Sequence, residues 1–180
     1  LLSQNPNAVQ LLEENQAKIN WVTLSLNPNA IHLLEQKQNQ NKIEWQYVSK
    51  NPNAIHLLEQ NPHKIYWYFL ADNPKAIHLI ERRIEQYKAT PINWSIATPD
   101  IYWDRLSANP NAIHLLEQKL EENPSKIYWY ALSSNPNAIH ILEQNLDKIV
   151  WKMLSLNRNA IHLLEQNPEK IDWRTLSFNP

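Results

Sequence analysis

An all-α solenoid of about 22-residue, two-helix repeats, with ankyrin-like or HEAT-like stacking and no β elements, is predicted by three features of the sequence. The string Asn-Pro-Asn-Ala-Ile-His-Leu-Leu-Glu-Gln, or a close variant, returns along all 180 residues, led by Asn5, Asn27, Asn51, Asn73, Asn109, Asn135 and Asn157, with a truncated start at Asn179. Its apolar residues follow helical spacing. A second string, Lys-Ile-x-Trp-x-x-Leu-Ser, fills the rest of each unit and accounts for seven of the eight tryptophans. A period of this size marks an array in which each unit contacts only its neighbours.

The elements follow in order along one unit. Asparagine at its head can accept bonds from the free amides of a first turn, and proline next to it loses no intrahelical bond. A first helix is therefore predicted to start at Pro28, Pro52, Pro110 and Pro136. Counted from the asparagine, positions +3, +4, +6 and +7 lie on one stripe of that helix, as with Ala30, Ile31, Leu33 and Leu34. The second helix opens either at another Asn-Pro pair, as at Pro62, Pro124 and Pro168, or later, with Asn20, Asn93 or Asp172 capping just before the tryptophan. In the later reading Ile171 and Leu176 form a hydrophobic staple. The sequence supports both starts. Trp21, Trp45, Trp67, Trp103, Trp129, Trp151 and Trp173 are assigned to the structural core, shared between units, because one unit has too few apolar side chains to fold alone.

The period breaks once. Between Glu81 and Ile101, Arg82, Arg83, Glu85, Tyr87 and Lys88 lengthen a first helix, and Ile92-Asn93-Trp94 followed by Thr98-Pro99 reads as a duplicated half-unit. The whole of 1–180 is expected to be a single array. Leu1-Leu2-Ser3-Gln4 resembles the tail of a preceding unit and Asn179-Pro180 opens another, so a longer natural array is expected.

Composition narrows the function. Zero glycine removes the motifs that need positive φ or an unobstructed main chain, among them the P-loop, the dinucleotide fingerprint and the nucleophile elbow. Zero cysteine removes disulfides, thiolate zinc sites and cysteine nucleophiles. A formal charge of −1 does not suggest nucleic acid or an anionic membrane as partner. No apolar run approaches the roughly 18 residues that span a bilayer. These features point to a protein that is not an enzyme, uses no cofactor and binds other proteins.

The string Asn-Pro-Asn-Ala-Ile-His-Leu-Leu-Glu, complete at Asn27, Asn51 and Asn109, followed by Lys-Ile-Asp-Trp-Arg-Thr-Leu-Ser or Lys-Ile-Tyr-Trp-Tyr-Ala-Leu-Ser, resembles the short asparagine-rich repeats of the giant nucleocytoplasmic DNA viruses of amoebae and algae. The resemblance covers essentially the whole chain. It implies a viral repeat protein of the host cytoplasm or the virion, possessing no catalytic residues to transfer and with other virion proteins as partners.

Candidate sites are weighed against plain structural roles. His32, His56, His78, His114, His140 and His162 recur at +5, opposite the apolar stripe, and form a candidate partner-binding ladder that would make binding sensitive to pH. The alternative, which the repetition favours, is that duplication merely copied the residue, or that each histidine bonds an asparagine or glutamate of the adjacent unit and stiffens the stack. The ladder does not suit zinc, because ligands must converge within about 2.1 Å of one ion while stacked helices lie roughly 8–10 Å apart. Glu35, Glu59, Glu81, Glu117, Glu143 and Glu165 read as solvated, or as partners of Lys42, Lys64, Lys126, Lys148 and Lys170. Tyr66, Tyr102 and Tyr128, each just before a tryptophan, are candidates for a partner-facing aromatic patch, whereas the tryptophans as base-stacking platforms would also need a positive groove. Arg82, Arg83 and Tyr87 make the insert a candidate irregular contact region. Ser25, Ser133 and Ser155 are expected to bond backbone at the turns, and His63 to be solvated in a link.

Overall fold

Each repeat that is described throughout is a turn, a short α-helix, a 3-10 turn, one extended isoleucine and a second short α-helix, in that order. This is seen in a computed structural model that describes residues 2–89 and 101–179. Among the described residues there are helices and turns and no strands, so the chain is an all-α repeat solenoid. The described chain forms two compact units, Leu1–Ile101 and Tyr102–Pro180. Within each, second helices stack in sequence order. Trp45–Lys50 packs between Trp21–Ser25 and Trp67–Leu70 in the first unit, and Trp129–Ser134 packs between Trp103–Ala108 and Trp151–Leu154 in the second.

The first helices begin later than Pro28, Pro52, Pro110 and Pro136. They open at Ile31, Ile55, Ile113 and Ile139. Asn51 explains the delay. Its backbone is extended (φ −78°, ψ 116°), and its Oδ1 accepts from the amide of Asn53 at 3.1 Å, which closes a tight turn two residues long instead of capping a helix. The same turn forms at Asn27, Asn135 and Asn157. Apolar spacing then fixes the helix's inner face: Ala30, Leu33 and Leu34 are fully buried while Ile31 is half-buried and His32 exposed.

Both readings of the second segment hold a part of the answer. Pro62–Lys64, Pro124–Lys126 and Pro168–Lys170 are single 3-10 turns, after which isoleucine is extended, as at Ile65 (φ −69°, ψ 125°). The α-helix starts only at the tryptophan, with Asn20 capping through Thr23 N at 3.0 Å and Asp172 through Thr175 N at 2.9 Å. Asn93 lies outside the described residues, as does most of the duplicated half-unit. The lengthened first helix of the insert is present as Ile77–Ala89.

Helices such as Ile31–Glu35 or Trp67–Leu70 are about one turn long and would not persist alone in water. What holds them is a thin interior of Ala30, Leu33, Leu34, Val48, Ala54, Leu58 and Leu70, all at 0 % exposure, and their buried counterparts in the other repeats. The tryptophans are not in it, which corrects their assignment to the core. Trp21, Trp45, Trp67, Trp103, Trp129 and Trp151 are half-buried and Trp173 is 69 % exposed. Tryptophan is the first residue of its helix and sits at the rim. The side chain three positions on, such as Leu24, Val48 or Leu132, points inward instead.

Candidate functional site

The repeats meet through polar side chains buried among the leucines. Asn27, Asn51, Asn73, Asn135 and Asn157 are at most 1 % exposed. Each donates both amide hydrogens backwards, to the serine carbonyl and the asparagine carbonyl of the preceding repeat. Asn51 Nδ2 reaches Ser25 O at 3.0 Å and Asn27 O at 3.1 Å, and Asn157 Nδ2 reaches Ser133 O at 3.1 Å and Asn135 O at 2.8 Å. An amide is the one short side chain with two donors and an acceptor. Here one asparagine closes its own turn and ties two residues of its neighbour.

A serine completes the joint from the other side. Ser49 Oγ donates to Trp45 O at 2.8 Å and accepts from Tyr66 N, in the next repeat, at 3.0 Å. Ser25, Ser107, Ser133 and Ser155 repeat this geometry. The expected backbone bonding is thus present, and it also crosses the joint. These residues, Asn51 and Ser49 above all, were missed as junction elements. Their fixed place one turn from a helix end masks them as caps.

The histidines lie on the outer surface as their position predicts. His32, His56, His78, His140 and His162 each place Nε2 2.5–3.1 Å from a carboxylate of the preceding repeat, on Glu13, Glu35, Glu59, Glu117 and Glu143 respectively. A carboxylate only accepts, so Nε2 donates. Glu35, Glu59, Glu117 and Glu143 therefore partner histidine, where the sequence reads them as solvated or paired with lysine. The ladder is engaged within the stack, and both members of each rung stay close to half exposed, as for His56 and Glu35 at 46 % and 45 %.

Lysines turn instead to the tryptophans. Lys42 Nζ sits 4.8 Å from the Trp21 ring centre, Lys119 4.9 Å from Trp103 and Lys170 4.5 Å from Trp151. In the long first helix Arg83 takes this place, 4.1 Å from Trp67. Cation and ring attract through the ring quadrupole, so Arg83 is half-buried as a cover for Trp67, and of the proposed contact region only Arg82 is exposed; Tyr87 is half-buried.

Aromatic surface remains on the wall of second helices. Tyr66 and Tyr128 are 52 % and 50 % exposed, and Tyr102 is half-buried. Two residues on, Tyr68 and Tyr130 join them. The Tyr128 and Tyr130 rings lie 5.9 Å apart, and Tyr68 stands edge-on to Phe69 at 5.4 Å. Phe69 in turn meets Tyr47, of the preceding second helix, at 6.0 Å. Nearby charge is mixed in sign. Among the titratable groups, Asp172 has its carboxyl held below the ordinary carboxylate range, first by the Thr175 amide it accepts from. No group of three or more His, Asp or Glu that could hold a metal ion occurs among the described residues, and no described helix is long and apolar enough to cross a membrane. His63 is exposed in its turn. Compared with protein families, with curated proteins and with solved structures, the chain finds no match.

Proposed function

We propose that the chain is a non-enzymatic protein-interaction scaffold of a giant nucleocytoplasmic DNA virus, and that its working surface is the wall of second helices. The observation that carries this is the exposure of Tyr66, Tyr68, Tyr128 and Tyr130 on that wall, while the histidines opposite are already bonded within the stack. Partly exposed amphipathic rings, on repeats tied by buried asparagine and serine bonds within each unit, suit an extended protein partner. The viral origin rests on the Asn-Pro-Asn-Ala-Ile-His-Leu-Leu-Glu string.

The test is selection from a displayed library of random extended peptides on the whole chain, followed by the double variant Tyr66→Ala, Tyr128→Ala. The scaffold reading expects enriched binders whose affinity collapses in the double variant and persists when the six histidines are replaced by glutamine. Binders that depend on the histidines and ignore the tyrosines would move the working surface to the other side.

A second reading, a structural rod that bridges capsid or core proteins of the virion, is favoured by the repeated asparagine and serine bonds, which stiffen the joints within each unit. A scaffold stays in the soluble fraction of infected cells. A rod copurifies with particles in fixed stoichiometry.

A further inference from the structure

Two kinds of bond cross the joints within each unit, one deep and one at the surface. The deep kind is made by the leading asparagines. Asn51 Nδ2 reaches Ser25 O and Asn27 O at 3.0 and 3.1 Å, and Asn73 Nδ2 reaches Ser49 O and Asn51 O at 3.1 and 3.0 Å. The surface kind is the rung of histidine on glutamate, His32 with Glu13, His56 with Glu35 and His78 with Glu59, each exposed. The second unit repeats the arrangement, with Asn135 and Asn157 inside and His140 and His162 outside.

Helix packing is lopsided in the same sense. Trp21–Ser25, Trp45–Lys50 and Trp67–Leu70 pack closely in turn, as do Trp103–Ala108, Trp129–Ser134 and Trp151–Leu154. Among the described residues no two first helices approach as closely, although Ile77–Ala89 and Ile113–Glu122 are the longest helices there. Two long side chains meeting tip to tip, histidine and glutamate, span what the backbones leave open.

We propose that the histidine–glutamate rungs are straps across an edge that opens and closes: each compact unit bends about its column of second helices, and the rungs set how far. This goes beyond the scaffold reading and holds whatever the wall of second helices binds. An exposed bond exchanges its partner for water at little net cost, so opening begins at the rungs. A buried amide has no water to turn to, so the asparagine joints stay shut and act as the hinge. One bridging water lengthens a rung by one hydrogen-bond length, roughly 2.8 Å. That wedge narrows toward the column, and the fully buried Leu33 and Leu34 remain covered. Bending of this kind changes the curve of a unit while its second helices keep their spacing.

The experiment measures two distances across the same two joints by pulsed electron spin resonance on the full chain. The chain has no cysteine of its own, so spin labels go only where they are placed. One pair, Gln10→Cys with Gln60→Cys, reports the edge of first helices from exposed positions. The other, Val22→Cys with Tyr66→Cys, reports the column of second helices, also from exposed positions. His32→Ala with His56→Ala removes both intervening straps. The 10–60 distance should then lengthen by roughly 5–6 Å, one water for each rung, and the 22–66 distance should stay within the error of the measurement. His32→Gln with His56→Gln keeps a donor at each rung and should restore most of the shorter distance. Far-UV circular dichroism establishes that the variants fold, and Glu13→Ala with Glu35→Ala repeats the test from the other side of each rung. An unchanged 10–60 distance, or equal lengthening in the glutamine variant, overturns the proposal. So does lengthening of both distances together, because the joint would then part as a whole. Loss of helix in both alanine pairs would make the rungs supports of the fold and overturn their role as straps.

Discussion

Replacing Asn51 tests the principle on which the joint is built. Its side chain is 1 % exposed, donates to Ser25 O and Asn27 O at 3.0 and 3.1 Å, and accepts from Asn53 N at 3.1 Å. In Asn51→Ala two buried carbonyls lose their partner, at about 1–3 kcal/mol each, and the turn loses an acceptor worth about 0.5–2 kcal/mol. The expected destabilisation is on the order of 4 kcal/mol. The internal control is Asn53→Ala, which removes two exposed bonds, one given to Pro28 O at 3.0 Å and one accepted from Lys75 Nζ at 3.0 Å, and should cost about 1 kcal/mol because water replaces both. Asn51→Asp goes further, since at neutral pH it sets a carboxylate against the same two carbonyls. That carboxyl should have a folded-state pKa above its unfolded one, so the variant's deficit against wild type shrinks as the pH falls through the raised value. Urea unfolding followed by circular dichroism, with hydrogen exchange at the Asn53 amide, measures all three. Asn51→Ala and Asn53→Ala equal within about 0.5 kcal/mol would refute the buried-amide joint.

Other perturbations should rank by burial. Ser49→Ala removes a fully buried hydroxyl that both donates and accepts, and should cost about 1–3 kcal/mol in urea unfolding. His56→Gln breaks a half-exposed pair with Glu35 and should cost below about 1 kcal/mol, with the loss reduced further by salt. Asp172 has its pKa depressed by the Thr175 amide, so its stabilising cap is present above the unfolded carboxylate value and is lost as the pH falls through the folded one. In Asp172→Asn the cap should persist and this share of the acid sensitivity vanish in an acid titration followed by hydrogen exchange at the Thr175 amide, because Asn20 caps the equivalent helix through Thr23.

Much of the site was legible for reasons of local geometry. The outward position of His56 follows from its angle to Ala54, Leu57 and Leu58 on one helix, and the exposure of Tyr66 and Tyr128 was expected from their place before the tryptophan. The partner of His56 was foreseen in kind, a glutamate or asparagine of the adjacent unit. From the glutamate's side the assignment to lysine failed: Lys42 and Lys170 found a better surface on the tryptophan faces, where a cation is held without burying its charge. The tryptophans themselves misled because the sequence states how apolar a residue is and not how thick the interior will be. One-turn helices enclose room for leucine and alanine and leave the indole at the rim.

The sequence by itself determined the period, the helical class, the inward stripe and the outward ladder, since each depends on residues within a turn or two of one another. Only the tertiary structure decided what Asn51, Ser49 and Glu35 bond to. Their partners lie in the neighbouring repeat, from 17 residues away for Ser49 and Tyr66 to 26 for Asn51 and Ser25. A side-chain amide or hydroxyl can cap its own turn or cross a joint with equal chemical ease. The choice is made when the next repeat packs and leaves particular carbonyls and amides buried with no water to satisfy them.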